Sequence, residues 1–316
     1  MIEWGINALN HGSSLAVFSS CDLKYYQFSK TDEIPSEYFR NALNWGSPDK
    51  LYWYERPWVK KARQVYAGQY KTALDMSADV LPSRYIKRER LNYAPIVYSP
   101  HHGSHAAAGY YTSPFNHCAI VVLDAIGEFD CATIWEAKHN EIKKVWSKSY
   151  PHSLGLLYSA FTKLVGLEPI KQEHLLQQMA ANGDPNRVYF DVKEYMGTLV
   201  HAHKNMHRGI NDWPHEIRNL QDQCDIAAAV QDVFTEQVDM VMKLAKELTG
   251  ADCLVYMGGC AMNSATNKAV VEPKFKYIWS LPQPGDPSSA IGSVLYHKKY
   301  RVNWQFGEAK HIAINV

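Results

Sequence analysis

Apolar and polar residues alternate through EWGINAL (3–9), SSLAVFSS (13–20) and LKYYQFS (23–29), with turns at Asn10-His11-Gly12 and Cys21-Asp22. Alternation bounded by turn residues predicts three strands. The same order returns later in the chain. CAIVVLDA (118–125) meets the Gly127-Glu128 turn, CATIWEAK (131–138) follows, and Lys138-His139-Asn140 turns into EIKKVWSKSY (141–150). Two sets of three strands point to an internal duplication.

Elsewhere the period is helical. Apolar positions recur at helical spacing around Val59–Leu74 and through SLGLLYSAFTKLVGL (153–167), where Ser153 stands at the cap position. HLLQQMAANG (174–183) ends in an Asn-Gly stop, and 184–223 reads as a polar excursion. Asp225 is expected to open the longest helix, which Gly250 closes. CLVYMGG (253–259) predicts a buried strand leading into the helix MNSATNKAVVE (262–272), with a strand at YIWSLPQ (277–283) and a last helix at SSAIGSVLYHKKY (288–300). Alternating strands and helices indicate an α/β fold. The repeated starts favour two lobes around a central cleft. The first is 1–116, including an aromatic, basic insertion at 36–98, and the second is 117–316, where the Gly258-Gly259 turn ahead of a helix makes a candidate nucleotide- and phosphate-binding segment.

Composition changes this picture little. Hydrophobic residues make up 46% and charged residues 21%, and a net charge of +1 supplies no global pull toward nucleic acid or membrane. No apolar run approaches the roughly 18–20 residues of a membrane helix. MIEWGINALNH lacks the basic start of a signal peptide, and Cys21, Cys118, Cys131, Cys224, Cys253 and Cys260 form no C-x-x-C pair. A reduced, cytoplasmic setting is the expectation.

Four stretches carry candidate chemistry. In SPHHGSHAAAGYY (99–111), a helix from His101 would stack His101 and His105 on one face. Such a pair grips a metal ion, or caps a helix. Asp124 leaves a buried strand with Glu128 in the following turn, which suits a metal ligand or general base, or a turn residue bonding its own backbone. Gly258-Gly259, with Asn263 and Asn267 beyond, can cradle a phosphate and reach a nucleotide, or simply turn the chain. Asp286 precedes a helix and is either its cap or the carboxylate of a two-His-one-carboxylate metal set. Residues 50–93 hold ten basic against four acidic residues, among them Lys60, Lys61 and Arg63, interleaved with Tyr52, Trp53, Tyr54, Trp58, Tyr66, Tyr70, Tyr85 and Tyr93. That mixture suits phosphate backbones and extruded bases, or a solvated face over a core.

Taken together the segments resemble the O-carbamoyltransferases of the nodulation-factor and antibiotic-tailoring type. SPHHGSHAAAGYYTSPF (99–115) resembles their D-H-H-x-x-H-A-x-x-A-x-x-x-S-P-F, and VVLDAIGEFD (121–130) their V-V-D-G-x-G-E. In the same order follow SLGLLYSAFTKLVGLEP (153–169), EHLLQQMAANG (173–183), DIAAAVQDVFTE (225–236), MGGCAMNSATN (257–267) and PQPGDPSSAIGS (282–293). His11-Gly12-Ser13-Ser14 stands where the family has H-D-x-S, Ala125 follows Asp124 where it has Gly, and Leu175 replaces its Lys.

The resemblance implies a two-lobed actin/hexokinase/Hsp70-like fold. It implies Fe(II) or a similar divalent metal held by His101, His105 and Asp286, and a nucleotide or carbamoyl donor near Gly258, Gly259, Asn263 and Asn267. Asp124, then Glu128, are the candidate bases for the acceptor hydroxyl. The donor is carbamoyl phosphate or carbamoyl-adenylate, with ATP needed for the latter. The family's adenylate-forming domain has no counterpart before Val316, so a separate partner is expected to supply activated donor unless carbamoyl phosphate serves alone. Lys60, Lys61 and Arg63 suit an anionic acceptor, and 5-hydroxymethylcytosine in DNA, as in phage genomes, is the acceptor expected first. A sugar or antibiotic hydroxyl is the alternative. A non-catalytic nucleotide-binding subunit of a tRNA-modification complex is the reading from another class.

Overall fold

The computed structural model describes residues 1–19, 22–28 and 31–302, and the backbone of 313–315. Ser20 and Cys21, between the second and third strands, lie outside the described residues. The first sheet holds β1 (Ile2–Asn7), β2 (Ser13–Ser19), β3 (Asp22–Phe28), β4 (Lys50–Trp53) and β5 (Ile96–Tyr98). The second holds β6 (His117–Gly127), β7 (Asp130–Lys138), β8 (Glu141–Ser149), β9 (Cys253–Met257) and β10 (Tyr277–Trp279). Their strand orders are β3-β2-β1-β4-β5 and β8-β7-β6-β9-β10, the first extended beyond β3 by β11 (Ala313–Asn315). In each sheet the first three strands form an antiparallel meander and the last two join it in parallel. The two sheets are topological copies of one another.

Two helices lie between the copies. His101–Thr112 is buried along its whole length, so no polar face marks it in the sequence. Ser289–Lys298 crosses it so closely that a methyl on Gly292 would sit 1.7 Å from the Ser104 carbonyl oxygen. On its other side a methyl on Gly5 of β1 would sit 1.8 Å from the Ala290 carbonyl oxygen. Glycine is required at both crossings because backbone meets backbone. The 116/117 boundary precedes β6, and the chain after 289 returns to the first sheet through this helix and β11.

Three elements depart from the sequence reading. The helical stretch at 59–74 is two helices, Pro57–Tyr66 and Tyr70–Leu74, divided at Gly68, whose φ of +71° ends the first. The long helix runs Leu220–Thr249 and starts before Asp225: Asn219 caps it by accepting the Asp222 N–H at 2.9 Å. Asp225 instead accepts the Asp184 N–H (2.8 Å) and pairs with Arg187, pinning the polar excursion to the helix. MNSATNKAVVE is one helical turn, Ser264–Thr266, running into a wide π turn, Asn267–Val271. Gly250 closes the long helix at φ +62° and Ser153 caps Leu154–Leu164, both as expected.

Candidate metal centre

The centre forms where the strand end of β6 meets the first turn of the His101–Thr112 helix. The β6–β7 register breaks between Leu123 and Gly127, so Asp124, Ala125 and Ile126 leave the ladder. Ser153 holds this bulge by donating to the carbonyls of Ala125 (2.6 Å) and Asp124 (3.2 Å) while capping its own helix. Gly127 admits the imidazoles, since a methyl there would stand 2.4 Å from His101 Cδ2 and 2.5 Å from His102 Cδ2.

The i,i+4 spacing brings the Nε2 atoms of His101 and His105 to 3.2 Å. Asp286 Oδ1 lies 3.2 and 3.3 Å from them, and Asp124 Oδ2 lies 3.3 and 3.5 Å away. One atom from each of the four residues falls within 4.8 Å of all the others. The second oxygens are anchored: Asp286 Oδ2 accepts from Asn10 Nδ2 (2.8 Å) and Asp124 Oδ1 from the Ala125 N–H (2.8 Å). Behind His101, Glu55 Oε2 stands 3.7 Å from Nδ1, and Lys60 neutralises Glu55 through Oε1 at 2.7 Å.

Two imidazole nitrogens and two carboxylate oxygens converging on one point fit a divalent ion of the zinc-to-iron range. The Nδ1 of His101 faces Glu55 Oε2 at 3.7 Å, the side from which a carboxylate orients a ligating imidazole, and among the described residues the buried Nδ1 of His105 has no hydrogen-bond partner. In the metal-free protein, burial opposes charge on His101, but Asp286 and Asp124 outweigh it and raise its pKa well above the ordinary value. His105 moves the same way, and burial of Asp124 and Asp286 is overridden by the imidazoles, which lower both carboxyls. His102 is kept neutral by burial and by His101, and its Nδ1 lies 2.9 Å from Thr133 Oγ1. It supports the pair rather than joining it.

The other candidates are dispersed. Asp124, expected as a metal ligand or a general base, stands inside the cluster, with Oδ2 facing the two imidazoles and Oδ1 accepting the Ala125 N–H. Glu128 lines the cavity and is held there: Oε1 accepts the Arg56 N–H (2.6 Å), and the guanidinium of Arg56 grips the carboxylate. Gly258, at φ +91°, and Gly259 stand at the end of β9, and a methyl on Gly259 would lie 3.3 Å from Asp124 Oδ1. Asn263 caps the turn at 264–266 and exchanges hydrogen bonds with Gln231, while Asn267 donates to the Ala261 carbonyl. Neither amide side chain faces the cavity.

A cavity of about 430 Å³ opens beside the cluster. Glu55, Lys60, Arg63, Asp124, Glu128, Lys163, His207, Arg208 and Asp286 contribute to its wall. Lys60 and Arg63 therefore point inward, whereas Lys61 donates to the carbonyls of Ala73 and Asp75 and braces the next helix. Of the interleaved aromatics, Tyr52, Trp53, Tyr54 and Tyr85 are core, and Trp58, Tyr66, Tyr70 and Tyr93 are exposed. Sequence reasoning missed Asn10, Glu55, Lys163 and the His207-Arg208 pair; only Glu55, two residues past the end of β4, sits at a position that strand-end logic could have flagged.

Comparison with known proteins decides the family. The model for the carbamoyltransferase N-terminus matches residues 18–295. The chain belongs to this family. The uncharacterized protein sll1178 of Synechocystis sp. is 34% identical over 225 residues, covering 64% of this chain and 36% of that protein. Nodulation protein NolNO of Sinorhizobium fredii is 25% identical over 210 residues, covering 63% and 31%. The chain thus spans about a third of the length of these curated relatives. Among solved structures, T. kodakarensis HypF superposes with a TM-score of 0.52 at 11% identity over 94% of this chain and 47% of HypF. This likeness is one of fold, the two-lobed α/β architecture expected from the duplicated strands.

Proposed function

We propose that this chain carries the metal-bearing half of an O-carbamoyl transfer. Supporting it is one observation: the His101, His105, Asp124 and Asp286 cluster opens onto an inner cavity in a member of the carbamoyltransferase N-terminus family. With carbamoyl phosphate as donor, the acceptor oxygen bonds to the carbamoyl carbon and the C–O bond to phosphate breaks. The products are the carbamate ester and hydrogen phosphate, which carries away the hydroxyl proton.

When bound, a divalent ion, with Fe(II) the first to test, supplies Lewis-acid polarisation and an anchor for an anionic ligand oxygen. Everything else falls to side chains. Asn10 and the Ala125 N–H fix the two aspartates. Lys60 keeps Glu55 charged but paired beside His101. The four carboxylates of the cavity are all engaged, Glu55 by Lys60, Glu128 by Arg56, and Asp124 and Asp286 by the imidazoles. For that reason the departing phosphate, rather than Asp124 or Glu128, is assigned the proton.

The acceptor to test first is 5-hydroxymethylcytosine in DNA. Exposed Trp58 and Tyr66, on the helix that carries Lys60 and Arg63, and Tyr70 at the start of the next helix support a stacking rim for an extruded base. The test is a transfer assay with the protein, Fe(II) and carbamoyl phosphate, with and without ATP, on hydroxymethylcytosine DNA and on a panel of sugars, read by mass spectrometry. One carbamoyl added to the DNA nucleoside is the expected result. Addition to a sugar alone overturns the DNA acceptor. Addition only with ATP and a second protein assigns carbamoyl-adenylate as donor, and no addition under any condition turns the reading toward a non-catalytic subunit.

A further inference from the structure

We propose that Arg63 is the centre of a phosphoryl-binding subsite in the same cavity, completed by Lys163 and Arg208. Of the three basic residues Arg56, Lys60 and Arg63 on or beside the Pro57–Tyr66 helix, the last two line the cavity and the first two are paired. Arg56 is held by Glu128 and Lys60 by Glu55. Arg63 is not. It is 7% exposed, and among the described residues no carboxylate stands within ion-pair distance of it. Its Nη1 donates to Gln69 Oε1 at 2.8 Å, and its buried Nε–H finds no acceptor. A guanidinium offers five donors, and this one uses one of them within the protein.

A buried, uncompensated cation is costly unless something pairs it. Its surroundings point to an anion from outside. The Tyr150 ring faces the guanidinium carbon at 5.8 Å without a formal charge, and Glu55, whose charge also reaches Arg63, is already paired with Lys60. His207, between Gln69 (3.4 Å) and the Tyr150 hydroxyl (3.3 Å), is held neutral by burial and by Arg63 itself. Lys163 and Arg208 line the same cavity, and among the described residues neither forms an ion pair or a hydrogen bond through its side chain. A planar fork flanked by two further cations suits a tetrahedral dianion. The ligand chemistry is a phosphoryl group; its source is the donor or a phosphate of the acceptor, and here the inference rests on the carbamoyl-transfer reading.

The experiment is thermal unfolding of the full chain, wild type and Arg63→Gln, titrated with inorganic phosphate, carbamoyl phosphate or a single-stranded oligonucleotide. Phosphate is expected to raise the wild-type Tm, and Arg63→Gln to weaken that response by about tenfold or more. Without phosphate, Arg63→Gln is expected to melt higher than wild type, because it removes an unpaired buried charge. Should that variant fail to fold, the exposed pair Lys163→Gln and Arg208→Gln must weaken the same response. A response to the small phosphates assigns the subsite to the donor; a response to the oligonucleotide alone, lost with Arg63→Gln, assigns it to the acceptor. An undiminished response in the variants, or none in the wild type, overturns the subsite. Binding that depends on Arg63 without any carbamoyl transfer keeps the subsite and overturns the transfer reading. Transfer without such binding does the reverse.

Discussion

At the scale of residues, the centre is an arrangement in which a bound metal ion would compete with protons for the same atoms. His101 and His105 both have pKa values raised above the ordinary imidazole value of 6.5 by Asp124 and Asp286, against the opposing effect of burial. A raised folded-state pKa contributes stability that is complete below pH 6.5 and is lost as pH rises through the folded value. A divalent ion needs both rings deprotonated. Metal-free protein should therefore lose Tm as pH is raised from about 6.5 upward, while metal affinity rises over the same range. Competition titration with a chromophoric chelator, run beside thermal melts, checks both slopes; an affinity that stays flat across neutral pH would remove the imidazoles from the ligand set. The H-x-x-x-H spacing made these two residues readable from sequence. For Asp124 the sequence left metal ligand and base both open, because whether it stands free or joins the imidazoles depends on a bulge in β6 that no local pattern announces.

At the scale of elements, the Gly127-Glu128 turn connects the metal centre to the insertion. Glu128 takes a left-handed backbone at φ +61° and places its carboxylate on Arg56, the residue that starts the Pro57–Tyr66 helix. One turn thus packs against the imidazoles through Gly127 and anchors the helix that carries Lys60 and Arg63 through Glu128. Glu128→Ala should cost about 1–3 kcal/mol in urea unfolding, nearer the lower figure because half-exposed Arg56 can rehydrate. Glu128→Gln, keeping an acceptor for the Arg56 N–H, should fall between. Unchanged stability in both would free Glu128 from the anchoring role and return it to the list of bases. The sequence signalled an acidic residue in a turn, but its partner lies 72 positions away, so only the folded chain could say which way the carboxylate points.

At the scale of the whole molecule, two copies of one five-strand topology face each other across a pair of helices that cross backbone to backbone. The crossing also sets the metal centre, since His101 and His105 ride on one helix and Asp286 stands in the turn, Asp286–Ser288, that leads into the other. Gly292→Ala should destabilise the fold by about 3 kcal/mol or more and loosen metal binding together with it, because a methyl 1.7 Å from the Ser104 carbonyl must push the helices apart. Urea melts and metal titration on the same variant check this, and a stable variant with normal affinity would separate the crossing from the centre.

What the sequence determined by itself is what depends on period, on short motifs and on residues close in the chain. These are the two three-strand meanders, the Ser153 and Gly250 helix ends, the His101/His105 pair and the family likeness that placed Asp286 beside it. What only the tertiary structure decided is what depends on contacts between distant segments. Asn263 and Asn267 turned inward to Gln231 and the Ala261 carbonyl, Lys61 to the backbone of the next helix, and Tyr52, Trp53, Tyr54 and Tyr85 into the core. A run of basic and aromatic residues reads alike whether its side chains face solvent, core or cavity. The choice among those three is made by the surfaces packed against it, and within one turn of helix Lys60 and Arg63 went to the cavity wall while Lys61 went to the backbone of the next helix for that reason.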